Sequence, residues 1–266
     1  MNRISVIIPT YNRADKIVTS ILSVLDQSYK DFDLIIVDDA SADDTETVIA
    51  GISDNRIRYY KLDTNKGAAG ARNEGVKLAK TEFIAFHDSD DKWLPDKLEK
   101  QMVYMDRNPD IGLVYGKVRV NSPDKIYEFP NEAVSGELQG ELYPWLLRRN
   151  TIDTPTMFMR KVCFDETGGF DESLRCLEDW EFVIRFSRNF KIGYIGEVLL
   201  DSFVSEGGVS RNIGAYYEAR CKMIALHKEN LIKLGLFDEI VMDVFSRAEK
   251  SGVLPQVQKM LMNSLG

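Results

Sequence analysis

Along the first hundred residues, short apolar runs alternate with stretches whose apolar positions recur at helical spacing. Residues 4–8, 34–37, 57–60 and 83–86 read as strands: they are short and rich in β-branched and aromatic side chains, and polar turn residues bound the first three. Between them, residues 14–27 gather Ile17, Ile21, Leu22, Val24 and Leu25 on one side of a helix. Residues 45–50 follow the start signal Asp43-Asp44, and residues 68–80 carry apolar spacing that ends in Val76 and Ala79. This repetition predicts right-handed crossovers and an α/β fold, a Rossmann-like, mostly parallel sheet flanked by helices. Residues 94–108 extend the pattern with one more helix, in which Pro95 suits the first turn.

The second half is less regular. Residues 112–120 and 126–129 read as strands joined through Asn121-Ser122-Pro123-Asp124, residues 137–149 as a helix and 156–159 as a strand. Residues 177–190 read as a helix, 192–195 and 198–204 as strands, and the chain from Ala215 as helices broken near Gly235 and residues 252–255. The expected organisation is one domain over 1–210, made of halves 1–110 and 111–210, with a C-terminal helical extension over 211–266.

Polar clusters fall just after the expected strands. Thr10-Tyr11-Asn12 follows the first, Asp38-Asp39 the second and Asp88-Ser89-Asp90-Asp91 the fourth. In a doubly wound sheet ligands bind beyond the carboxyl ends of the strands, so these groups are expected in one crevice. Asp88, Asp90 and Asp91 repel one another, and a hard cation such as Mg2+ or Mn2+ would offset that repulsion. A solvated loop that caps the following helix explains the same three aspartates about as well. Asp38-Asp39 fits a turn or a base acceptor, Tyr11 packing or base stacking, and Arg72 a surface position or a phosphate contact. Glu178-Asp179-Trp180 opens a helix, where acids are favoured by the dipole whether or not one serves as a general base.

Composition narrows the partners. With 266 residues, 44% of them hydrophobic, the chain is long enough for one large α/β domain plus an appended element. A net charge of -8 speaks against a general nucleic-acid binder. Cys163, Cys176 and Cys221 are widely spaced and form no CxxC pair, so neither a disulfide framework nor a zinc site is expected, which suits the cytoplasm. No apolar run approaches the roughly 20 residues of a membrane span, so no transmembrane segment is expected. Arg220, Lys222, Lys228 and Lys233 lie beside apolar residues in the C-terminal helices. They leave open a peripheral contact with the inner face of a membrane, with core packing or a homodimer as the competing explanations.

Taken together, Ile4 to Arg13 (ISVIIPTYNR), Ile35-Ile36-Val37-Asp38-Asp39-Ala40-Ser41, Ala71-Arg72-Asn73-Glu74-Gly75, Asp88-Ser89-Asp90-Asp91 and Gly168-Gly169-Phe170-Asp171 with Glu178-Asp179 resemble family 2 glycosyltransferases of the GT-A fold. The likeness covers roughly residues 4–210. It implies an inverting transferase that passes a sugar from a nucleotide-diphosphate sugar, by resemblance a UDP-sugar, to a hydroxyl of a saccharide or lipid-linked acceptor in cell-surface polysaccharide or glycolipid synthesis. By the same likeness Pro9, Thr10, Tyr11, Asn12, Asp39, Arg72, Asp88 and Ser89 line the nucleotide site, which gives residues 1–110 the nucleotide and 111–210 the acceptor. Asp90 and Asp88 hold Mn2+ or Mg2+, Asp179 is the catalytic base, and Glu178, Trp180, Gly169 and Asp171 shape the sugar and acceptor pocket. The sequence departs from the family in residues 203–210, where many relatives carry a histidine and this chain has none. It also lacks the Gln-x-x-Arg-Trp signature of processive synthases, so one sugar is expected per binding event. A sugar nucleotidyltransferase and a non-catalytic nucleotide-sugar-binding module are the alternatives. The first would place a glycine-rich loop where Pro9 to Arg13 stand.

Overall fold

The computed structural model describes residues 2–131, 139–140, 142–204 and 212–266. Its strands are β1 (Ile4–Thr10), β2 (Phe32–Asp38), β3 (Ile57–Lys61), β4 (Phe83–Phe86), β5 (Lys92–Trp93), β6 (Ile111–Asn121), β7 (Ile126–Phe129), β8 (Phe158–Arg160) and β9 (Lys191–Phe203). They form one mixed sheet in the order β3-β2-β1-β4-β8-β6-β9-β5, with β7 hydrogen-bonded to β6. The first four strands are parallel to one another, as the alternating pattern predicts. β8 runs antiparallel to both β4 and β6, and parallel pairing returns between β6 and β9.

The helices are α1 (Ile17–Leu25), α2 (Thr45–Ala50), α3 (Gly67–Leu78), α4 (Lys97–Arg107), α5 (Tyr143–Arg148), α6 (Lys161–Thr167), α7 (Glu178–Phe186), α8 (Ile213–Leu226), α9 (Lys228–Lys233), α10 (Phe237–Lys250) and α11 (Leu254–Leu265). Each central strand buries both faces, so strand residues alternate between two hydrophobic clusters. Ile7, Ile35, Val37, Ile84 and Phe86 face the cluster that includes α3, α7 and the C-terminal helices. Ile4, Val6, Ile8, Leu34, Ile36, Phe83 and Ala85 face the one that includes α1 and α4. Gly75 lets α3 approach β1 closely, since a Cβ there would lie 2.4 Å from Ile7 Cγ2.

Several expected boundaries move. Pro95 stands in the turn before α4 and not in its first turn, and its carbonyl accepts from Ser28 N–H at 2.8 Å. The expected strands 192–195 and 198–204 are one strand, β9, whose register against β6 shifts near Gly116 and Lys117. α6, β5 and a short 3-10 helix over Thr154–Thr156 were not foreseen. The helix expected over 137–149 falls partly outside the described residues, of which Tyr143–Arg148 is helical. Tyr217, Cys221, Ile224, Ile240, Val244, Val257 and Leu261 of the C-terminal helices enter the same cluster as the sheet, so these helices are packed into the core. Of the basic residues for which a membrane contact or core packing was left open, Arg220 is buried with only 3% of its surface exposed. Among the described residues no helix is long and apolar enough to cross a membrane.

Candidate active site

The parallel strands end on a common edge, and β1 separates β2 from β4, so the chain diverges to either side there. The described non-glycine residues with left-handed backbone are Asn12, Ala40 and Leu177, and all three stand at this edge or at the start of α7. Such conformations are costly for residues with a Cβ and persist where surrounding contacts fix them. Asn12 accepts from Ala42 N–H through Oδ1 at 2.8 Å and donates its own N–H to Ser41 Oγ at 2.9 Å, which ties the turn after β1 to the turn after β2.

On the β1 side, Pro9 is in register with Val37 inside the sheet, and the Thr10 hydroxyl is buried without a partner among the described residues. Tyr11 projects from the edge with 47% of its surface exposed. Asp38 is committed to the fold: it accepts from Ser41 N–H at 2.7 Å and from the Tyr59 hydroxyl at 2.6 Å. Asp39 is partly committed too, accepting from Lys66 N–H at 2.6 Å and Gly67 N–H at 2.8 Å, where α3 begins. Burial nevertheless pushes its carboxyl above the ordinary range, against those two hydrogen bonds.

Beyond β4 lies the aspartate loop. Ser20 Oγ donates to the Asp91 carbonyl at 2.8 Å, and the Asp91 side chain is buried toward β9, facing Phe203 N–H at 3.4 Å. Burial, and then the charge of Asp88, push the Asp91 carboxyl up to about 9. Ser89 is buried, while Asp88 and Asp90 keep partial access to solvent. Asp90 is 3.8 Å from Arg13 Nη2, and its carboxyl is raised by burial and by Asp88.

Arg72, on α3, spans the crevice. Its Nη2 donates to Asp88 Oδ1 at 2.8 Å and its Nη1 to Glu178 Oε1 at 2.7 Å, while Nε is buried without a partner among the described residues. Burial alone would pull the guanidinium pKa down, but the two carboxylates outweigh it and hold the pKa above the usual arginine range. Asn73, the next residue, clasps the glycine turn by accepting from Phe170 N–H and donating to the Phe170 carbonyl, both at 2.9 Å. Gly169 is left-handed, and a Cβ on it would meet Asn73 Oδ1 at 2.8 Å, so glycine is required for this clasp. Asp171 accepts from Ser173 N–H at 2.9 Å within the turn. Gly169 and Asp171, expected in the sugar pocket, lie in the turn that leads into α7 and make these contacts there.

Leu177 turns the chain into α7, whose first turn presents Glu178 and Asp179. Asp179 accepts from Trp180 N–H at 2.7 Å, and the Trp180 indole donates to the Leu146 carbonyl at 2.6 Å, which fixes the helix start against α5. Burial, then the charges of Glu178 and Asp153, push Asp179 up to about 8, against the hydrogen bond from Trp180 N–H and the charge of Arg72.

Asp153 is the residue that sequence reasoning missed. It immediately precedes the Thr154–Thr156 turn, and Ala85 is in register with Phe158, so the antiparallel course of β8 carries the preceding chain past the carboxyl end of β4. Burial and Asp88 raise it to about 7, with Arg72 opposing. The available signal was an acid just before an expected strand. It pointed nowhere until that strand was known to run antiparallel.

Among the described residues no three His, Cys, Asp or Glu side chains converge on a metal ion by themselves. Asp88 and Asp90 supply two mutually repelling carboxylates, and Mg2+ commonly takes one or two carboxylates together with substrate phosphates. The donor set therefore fits a cation shared with a diphosphate and does not fit a cage made of protein alone. Residues 205–210, where the family histidine is absent, lie outside the described residues.

Fold and crevice define an α/β protein of the GT-A class. The structure aligns with Staphylococcus aureus TarS 1-349, solved in complex with UDP-GlcNAc, at a TM-score of 0.78 and 23% identity over 99% of this chain and 79% of that one. The glycosyl transferase family 2 model matches residues 5–167, and the chain belongs to that family. It is 36% identical over 206 residues to an uncharacterized glycosyltransferase of Rickettsia felis (strain ATCC VR-1525 / URRWXCal2), covering 77% of this chain and 33% of that protein. It is 42% identical over 123 residues to the Escherichia coli UDP-Glc:alpha-D-GlcNAc-diphosphoundecaprenol beta-1,3-glucosyltransferase WfgD, covering 46% of this chain and 48% of that one. The chain thus spans between about a third and a half of the length of these two relatives.

Proposed function

We propose that this chain transfers one sugar from a UDP-sugar to a hydroxyl of a saccharide acceptor with inversion, using Asp179 as base. The observation that carries this reading is the Arg72 bridge, which sets the Asp88 to Asp91 loop against the Glu178-Asp179 turn across one crevice. The acceptor O–H gives its proton to the Asp179 carboxylate as its oxygen attacks the anomeric carbon. The bond from that carbon to the diphosphate oxygen breaks, and UDP leaves with the electron pair.

Asp90 and Asp88 would hold Mg2+ or Mn2+, which supplies charge stabilisation to the leaving diphosphate. Tyr11 lies against the base and Asp39 accepts from it, with lone pairs beyond those used by Lys66 and Gly67. Pro9, Thr10, Asn12 and Ser89 shape that pocket, Glu178 and Trp180 border the sugar, and Asp153 accepts from a hydroxyl of the donor sugar. UDP is favoured by the fold shared with TarS. A lipid-linked saccharide acceptor, met at a membrane face in polysaccharide or glycolipid synthesis, is favoured by the likeness to WfgD.

The test is calorimetric titration of UDP with and without Mn2+, followed by a product assay on UDP-sugars. Metal-enhanced UDP binding and UDP release are expected. Release of pyrophosphate would instead mark a nucleotidyltransferase, and binding without any turnover a non-catalytic module.

A further inference from the structure

Beneath the aspartate loop lies a lysine that the reaction above does not use. Lys97, the first residue of α4, is wholly buried and has no carboxylate partner among the described residues. Burial pulls its pKa well below the usual lysine range. Its Nζ donates to Gln101 Oε1 at 2.7 Å and stands 3.9 Å from the centre of the Trp93 ring. An apolar side chain of similar length would fill the same space without the cost of taking an amine out of water, so folding stability does not explain a lysine here.

The contacts of Lys97 lead in two directions. Trp93, just past the aspartate loop, is held by other groups as well. Its N–H donates to Ser23 Oγ at 3.1 Å, it pairs with Leu200 of β9, and its ring centre lies 4.7 Å from that of His87, the residue before the loop. Gln101 leads to Asp153. Its Nε2 donates to the Thr156 carbonyl at 2.7 Å and reaches the Val114 carbonyl at 3.5 Å, so one buried amide grips both β6 and the turn before β8. Thr156 donates twice to the Asp153 carbonyl, from its N–H at 3.0 Å and from Oγ1 at 2.6 Å.

An amide side chain can face either way, whereas an ammonium or amine hydrogen on Lys97 can only be given to an acceptor. Lys97 therefore turns Gln101 Oε1 toward itself and leaves the NH2 group to the carbonyls. Lys97, Gln101, Thr156 and Asp153 form one buried chain of hydrogen bonds that starts under the metal loop and ends on an acid of the crevice. We propose that Lys97 is a positioning residue, which through Gln101 and Thr156 sets where Asp153 stands relative to the aspartate loop and so how tightly the crevice holds the sugar of the donor. The inference rests on the transferase reading and on the place given there to Asp153.

The parent protein is titrated with UDP in the presence of Mn2+, then with UDP-glucose, UDP-galactose and UDP-N-acetylglucosamine, and the UDP-sugar held most tightly is carried forward. A parent that does not bind UDP sinks both readings. Lys97→Met keeps the length of the side chain and drops the amine. It is expected to raise the ratio of UDP-sugar Kd to UDP Kd by about threefold to tenfold, the loss of roughly one hydrogen bond. UDP affinity and its enhancement by Mn2+ should stay within about twofold of the parent, because Trp93 keeps its other supports, and the melting temperature should equal or exceed the parent value. Thr156→Val, two links further along, should move the ratio the same way. Lys97→Met added to Asp153→Asn should cause no further rise beyond that of Asp153→Asn, since both act through one group. An unmoved ratio in Lys97→Met overturns the positioning role and leaves the transferase reading standing. So do additive effects in the double variant, or a fall in melting temperature that weakens UDP and UDP-sugar alike, which marks simple loss of packing. Should Lys97→Met fail to fold, Thr156→Val decides alone, and an unmoved ratio there overturns the role.

Discussion

Arg72 Nη1 lies 2.7 Å from Glu178 Oε1, and through this contact two residues 106 positions apart in the chain join the two walls of the crevice. The other terminal nitrogen holds Asp88, so one buried cation offsets two carboxylates in the midst of further acids.

Removing that cation leaves Asp88 and Glu178 facing each other without compensation. Arg72→Met is expected to cost roughly 3 kcal/mol of folding stability, measured by urea denaturation, because breaking a buried pair strands its partners. Arg72→Lys should recover only part of it, since an ammonium cannot reproduce the two-pronged contact.

Asp179→Asn should lower transfer by about 100- to 10,000-fold while UDP affinity changes by less than about twofold. Undiminished turnover would remove Asp179 as the base. The same variant tests a stability effect. The folded-state pKa of Asp179 is raised, so its contribution to stability is full below about pH 4 and is lost as pH rises through about 8. The Asn variant should therefore melt higher than the parent at pH 8, with the difference closing toward pH 4.

A base works when ionised, so kcat/KM should rise with pH and bend near the Asp179 value of about 8 in the free protein. The charge of Asp153 is part of what raises that value. Asp153→Asn should move the bend to lower pH. A bend unmoved by this change would separate the two carboxylates.

Asp153→Asn also probes recognition of the sugar. If Asp153 meets a donor hydroxyl, KM for the UDP-sugar should rise about fivefold to tenfold, a loss near 1 kcal/mol, with Kd for UDP itself unchanged.

Asp90→Ala should abolish the gain in UDP affinity that Mn2+ or Mg2+ provides, a loss of at least about tenfold in calorimetry. Because burial and then its like-charge neighbour Asp88 raise the Asp90 carboxyl, the metal-free protein should lose no stability. Equal metal enhancement in parent and variant would assign the cation to other ligands.

The sequence by itself determined the parallel half. Strands β1, β2 and β4 announce themselves as largely apolar runs buried on both faces, whereas β3 has no fully buried residue and shows itself only by its β-branched and aromatic side chains; the polar residues at the strand ends could be placed on one edge from connectivity alone. The pairing of Tyr11, Asp39, Arg72, Asp88, Asp90 and Asp179 into one motif set was likewise legible, since residue identity and order carry it. What each acid does there was decided only in three dimensions. Whether an aspartate binds a ligand, caps a turn or stays protonated depends on which N–H groups and charges surround it, and those come from distant segments: Lys66 and Gly67 for Asp39, β9 for Asp91, Arg72 for Asp88. Asp153 entered the site only because β8 runs antiparallel, and Arg220 went inward only because α8 packs on Trp180. Strand direction and helix docking are long-range outcomes of packing, and local apolar period does not encode them.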